Sequence, residues 1–139
     1  MVMILKKQKK KLKKFKSKPI REECGVFGIH NFIDASTITA LGLHALQHRG
    51  QEGCGIVSFD GINFHSEKRH GLVGDNFTNK DILKKLPGKS AIGHNRYSTT
   101  GETSLRNIQP FFADIYGGGI SVAHNGNFTN ALKLREKLV

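Results

Sequence analysis

The 139-residue sequence has no tryptophan and only two cysteines, Cys24 and Cys54. Two thiols do not make a disulfide framework, and none of the paired Cys/His spacings of a zinc site occurs. No apolar run approaches the length of a membrane span. The basic N-terminal stretch has the charge of a signal n-region, but no apolar h-region follows it. That stretch also holds few serines and only one arginine, unlike an organelle transit peptide. The expectation is a cytoplasmic protein without metal or cofactor. No internal repeat is present. Acidic residues are scarce, 11 against 22 lysines and arginines, but the imbalance is local. Residues 1–23 hold nine lysines and Arg21 against Glu22 and Glu23, a balance of +8, and the remaining 116 residues carry only +3. The charge belongs to a tail, and the rest has neither the basic stripe nor the stacking aromatics of a nucleic-acid reader.

What is present fits one domain with a modest core. Sixteen glycines point to tight turns and close backbone approaches rather than to a helical bundle. Residues 5–18, LKKQKKKLKKFKSK, read as a solvated, disordered leader. The alternative is an amphipathic helix using Leu5, Leu12 and Phe15 on an anionic surface. Beyond Pro19 the pattern predicts a short buried strand, Val26 to Ile29, then a helix over Thr37 to Gln47 with Ile38, Leu41, Leu43, Ala45 and Leu46 on its apolar stripe. A second buried strand is expected over Gly53 to Phe59, a hairpin turn at Asp60-Gly61, and a return strand over Ile62 to His65. Gly71 to Phe77 reads as loop or short helix, and Asn79 caps a helix over Lys80 to Leu86. A third buried strand spans Ser90 to Tyr97. Phe111 to Tyr116 and Ile120 to His124 pair around a triple glycine, and a helix from Asn127 or Thr129 runs to Val139. This is an α+β pattern of two sheets with helices at intervals.

Three strand ends carry chemically loaded residues. Cys24 opens the first strand, Arg96 leaves another in GHNRYSTTG, and Asn125-Gly126 leaves a third in AHNGNFTNA. Each has a bland reading: a small buried thiol, a surface arginine, a common turn pair. Together with HALQHRGQEGCG and NIQPF, these segments resemble the glutamine amidotransferase domain of the amidophosphoribosyltransferases, among the class II amidotransferases. The resemblance runs from Cys24 to Val139.

That resemblance implies an Ntn-hydrolase-type four-layer α/β/β/α sandwich of antiparallel sheets, incomplete at the C-terminus, with residues 1–23 as a propeptide-like leader and 24–139 as the N-terminal part of the domain. The substrate would be L-glutamine, consumed in purine biosynthesis. Cys24 would be the nucleophile, with its freed α-amine as base, since such an amine titrates near ~7.7–8.0. Asn125 and Gly126 would form the oxyanion hole, with Gly126 also touching substrate. Arg96 would hold the glutamine carboxylate, and Thr99 would lie near the substrate in a loop from Tyr97 to Asn107. His48, Arg49 and Gly50 would support the site. A later aspartate that grips the substrate ammonium in the family, and any loop for phosphoribosyl pyrophosphate, are absent from the sequence. The remainder is therefore expected from a separately encoded chain or a homo-oligomer. The competing readings are an inactive gene fragment or docking remnant, and a basic-tail binder of nucleic acid or membrane.

Overall fold

The computed structural model describes residues 23–97, 104–126 and 128–139. Four strands form one antiparallel sheet in the order β1-β4-β2-β3: β1 Gly25–Ile29, β2 Gly53–Phe59, β3 Phe64–His70 and β4 Ser90–Arg96. A second sheet pairs β5 Phe111–Ile115 with β6 Gly118–Val122. Helix α1, Ala35–Ala45, covers one face of the larger sheet. Short helices α2, Val73–Asn76, and α3, Lys80–Leu83, lie between β3 and β4 in the chain, and α4, Ala131–Leu138, is exposed throughout.

The core lies between α1 and the larger sheet. Leu43, Cys54, Ile56, Val73, Phe77, Leu86 and Ala91 are buried there, with Phe27 and Ile29 packed against them. The helix approaches β4 closely because Gly93 has no side chain, so that a Cβ there would stand 2.7 Å from Leu43 Cδ1 and Thr39 Cγ2. The buried residues of α1 are accordingly Leu43, as expected, and the small Ala35, Ser36, Thr39 and Ala40, whereas Leu41, expected inside, is 61% exposed. Ser36 Oγ satisfies itself on the Leu86 carbonyl at 2.7 Å. On the opposite face, Phe112 stacks on Phe64 with ring centroids 6.3 Å apart, joining the small sheet to the large one.

Several expected boundaries shift. The β2–β3 hairpin closes later than Asp60-Gly61 alone suggests, because the Asp60 carboxylate accepts from the Ile62 and Asn63 amides at 2.8 and 2.7 Å and so extends the turn before the strand resumes at Phe64. That strand then continues to His70 rather than stopping at His65. Asn79 does cap α3, accepting from Asp81 N at 2.8 Å, but the helix ends at Leu83. The last helix starts at Ala131, behind Asn130. β2 is buried at every position but its last, whereas β1, at the sheet's edge, alternates and leaves Val26 41% exposed.

Candidate functional site

The site is assembled at the end of the sheet where β1 begins and β4 ends. The register pairs Gly25 with Asn95, so Cys24 comes beside the C-terminal end of β4. The Tyr97 backbone N–H lies 3.4 Å from Cys24 Sγ, and the thiol faces the Tyr97 carbonyl at 3.7 Å. Cys24 itself has φ +53°, a left-handed conformation uncommon for a side chain of this type. Its carbonyl is held from two directions. Arg49 Nε donates to it at 2.7 Å and Asn125 Nδ2 at 3.4 Å. Arg49 Nη2 reaches one residue further back, to the Glu23 carbonyl at 3.5 Å. Residues 101 positions apart in sequence, Cys24 and Asn125, are thereby in direct contact.

Arg49 is delivered by the single helical turn Gln47–Arg49 after α1. That turn can sit against β4 only because Gly50 follows it, since a Cβ there would stand 2.7 Å from the Arg96 carbonyl carbon. Gln47 locks the same turn, donating to the Gly50 carbonyl at 2.6 Å and accepting from Val73 N at 2.7 Å. His48 stands exposed beside Arg49. Asn95, buried in the strand end, ties β4 to α1 by donating to the Leu43 carbonyl at 2.6 Å.

Arg96 is half-buried and fixed by Nη1 donating to the Asn107 carbonyl at 2.8 Å. Its neighbour His94, 1% exposed, has its pKa lowered to about 4 by burial, by His124 and by Arg96, an effect the His124 backbone only partly offsets. His124 N in turn donates to Gln109 Oε1 at 2.8 Å, immediately before the Asn125-Gly126 turn. The other thiol, Cys54, is fully buried in β2, and burial pushes its pKa up to about 12.

Of the residues singled out from sequence, Cys24, Arg49, Asn125, Arg96 and Gly50 are thus brought to one end of the fold. Gly126 lies in the exposed turn beside them, and Thr99 falls outside the described residues. Sequence reasoning missed Gln109 and Asn95. Both lie inside the segments NIQPF and GHNRYSTTG, but only their burial singles them out within those segments. Among the described residues no cluster of His, Cys, Asp and Glu could hold a metal ion, and no helix is long and apolar enough to cross a membrane. A groove of about 870 Å³ between α1 and the α2–α3 segment is lined by none of the candidate residues.

No protein-family model matches the chain. It is 62% identical over 120 residues to an amidophosphoribosyltransferase of Rhizobium etli, covering 86% of this chain and 24% of that protein. It is 55% identical over 118 residues to the chloroplastic amidophosphoribosyltransferase of Vigna aconitifolia, covering 85% of this chain and 24% of the relative. The chain thus spans about a quarter of the length of these curated relatives. A solved structure described as the allosteric regulatory enzyme of purine biosynthesis superposes with a TM-score of 0.75 at 46% identity, over 81% of this chain and 24% of that one. The chain is therefore a homologue of the amidophosphoribosyltransferases, matching their N-terminal segment in sequence and in its α+β, Ntn-hydrolase-type fold.

Proposed function

We propose that the chain is a glutamine amidotransferase domain in which Cys24 removes the side-chain amide of L-glutamine as ammonia. The observation that carries this reading is the convergence on Cys24: Arg49 and Asn125 grip its carbonyl at 2.7 and 3.4 Å while its thiol sits at the end of β4.

In this reading the leader is removed at the Glu23–Cys24 bond, and the freed α-amine takes the thiol proton. An amine with a pKa near ~7.7–8.0 is partly neutral at cytoplasmic pH, which a lysine is not. Sγ then attacks the amide carbon of glutamine. Asn125 Nδ2 and the Gly126 N–H receive the developing oxyanion, an interaction worth about 2.7–4 kcal/mol per donor in comparable sites. The Cys24 α-ammonium returns its proton to the amide nitrogen, ammonia departs, and water hydrolyses the thioester to glutamate. Arg96, already anchored on Asn107, presents its remaining donors to the substrate carboxylate, with Thr99 nearby. Arg49 holds the Cys24 backbone in place, and Gly50 lets its turn approach β4. Two free thiols suit a reducing, cytoplasmic setting. The ammonia would serve phosphoribosyl transfer in purine synthesis, carried out by a separately encoded remainder or within an oligomer.

The test is covalent. The expressed chain is examined by intact mass for an N-terminus at Cys24, then treated with a diazo-ketone analogue of glutamine and mapped. The thiol at Cys24 should be modified and Cys54 spared, and glutamine should protect. Replacing Arg96 by leucine should weaken that protection about tenfold or more, the effect of losing a charged hydrogen bond. Modification at Cys54, or none on chains that begin at Cys24, would overturn the reading.

A further inference from the structure

We propose that Gln109 is a positioning residue that holds the Asn125-Gly126 turn opposite Cys24. Residues 104–110 lead from the β4 end towards β5, and connections of this kind ordinarily lie on the surface. Here Ile108 is 0%, Gln109 9% and Pro110 under 2% exposed. The strap can sink because β2 offers two glycines beneath it. A Cβ at Gly53 would stand 2.5 Å from Ile108 Cδ1, and one at Gly55 would overlap the Gln109 carbonyl.

From that fixed seat the Gln109 carboxamide reaches the other side of the site. Its Oε1 accepts the His124 backbone N–H at 2.8 Å, one residue before Asn125. Two residues back along the same strap, the Asn107 carbonyl accepts from Arg96 Nη1 at 2.8 Å. One three-residue span, half-buried at Asn107 and buried at Ile108 and Gln109, therefore fixes both the arginine that leaves β4 and the turn that leaves β6. A polar side chain in this position is costly to bury unless bonded, and its acceptor is used on a backbone amide that β6 has left behind at Val122. The catalytic consequence rests on the glutaminase reading, whereas the grip on His124 does not.

The experiment compares the wild-type chain with Gln109→Met, similar in length but without the acceptor, and Gln109→Glu, which keeps it. Two quantities are read: hydrogen exchange at the His124 amide, and kcat and KM for glutamine hydrolysis. In Q109M the His124 amide should exchange about tenfold faster, as expected for losing one hydrogen bond. The kcat should fall by a similar factor while KM stays within twofold. Q109E should restore both, and its carboxylate should move the His124 amide proton downfield. Unchanged exchange and kcat in Q109M, or a His124 amide shift in Q109E identical to wild type, would overturn the proposal; the second reading holds even if Q109M fails to fold. If the wild-type chain hydrolyses no glutamine, the glutaminase reading fails by itself, and the exchange data still decide whether Gln109 grips the turn.

Discussion

His94 shows how one buried side chain sets a pH limit on the fold. It is 1% exposed and neither ring nitrogen has a well-aligned partner among the described residues. Burial first, then His124 and Arg96, lowers its pKa from 6.5 to about 4. The unfolded chain therefore takes up a proton on this ring as pH falls through 6.5, and the folded chain does not until about 4. Stability contributed by the neutral ring is full above 6.5 and is lost progressively as pH falls between those values, at about 1.4 kcal/mol per unit. Denaturant titrations at pH 7 and pH 5 should find wild type weaker at pH 5, and His94→Gln should remove roughly 1–2 kcal/mol of that difference. An identical acid slope in the variant would show that His94 is not the group responsible. Cys54 carries the opposite sign: its pKa, raised to about 12 from 9.0, keeps the thiol protonated in the fold. The stability this contributes is present below 9 and lost as pH climbs towards 12, and the same shift makes the thiol a poor competitor for electrophiles aimed at Cys24.

At the scale of elements, α1 and β4 were legible as a helix and a strand, but the face by which they meet was not. Leu43 was expected on the buried stripe and is there, but hydrophobicity also ranks Leu41 above Thr39 and Ser36, and these small side chains are the ones buried because Gly93 and Gly42 let the helix come close to β4 and β1. No periodicity in the sequence states that a strand opposite will present a glycine. The same contact yields a prediction against simple propensity. In an isolated helix, Gly42→Ala would stabilise by about 0.8–1.0 kcal/mol. Here the new Cβ would overlap the Phe27 ring, which packs against the core, and overpacking of that kind costs about 1–3 kcal/mol. The net expectation is a destabilised G42A with Tm lowered by a few degrees, at about 2–4 °C per kcal/mol for a chain closer to 150 residues than to 100. A raised Tm would mean that Phe27 moves aside freely. The candidate site divides along the same line. Cys24, Arg96 and Asn125 could be found because each stands at a strand end with a side chain suited to the chemistry, while Gln109, though inside the NIQPF segment, acts through a buried backbone contact that its residue type alone does not announce.

For the molecule as a whole, the two sheets differ in how well they are covered. The four-stranded sheet has α1 on one face, and β2 is buried at nearly every position. The β5–β6 pair is exposed along almost its whole length, with Phe111 and Phe112 at 44%, Ile115 at 56%, Ile120 at 49% and Val122 at 45% exposure. Sequence showed these as strands because their residues are β-branched and aromatic around a glycine turn, but it gave no means of telling a covered strand from a bare one. Among the described residues each of these strands pairs only with the other, leaving both outer edges open. Open edges with apolar side chains favour pairing between chains, and an apolar patch of this extent favours association generally. In the full chain, leader included, the net charge of +11, of which +8 lies in residues 1–23, opposes it through repulsion, an opposition that salt screens over about 10 Å at 0.1 M and more tightly above that. The chain should therefore bind an apolar dye at low ionic strength and self-associate increasingly as salt is raised, reversing the salt dependence of a charge-held complex. Ile115→Lys, placed on the exposed small sheet, should reduce both signals in light scattering and dye fluorescence while shifting Tm by less than the G42A change. A wild-type chain that stays monomeric across the salt series, with no dye binding, would show that this surface is not available in solution.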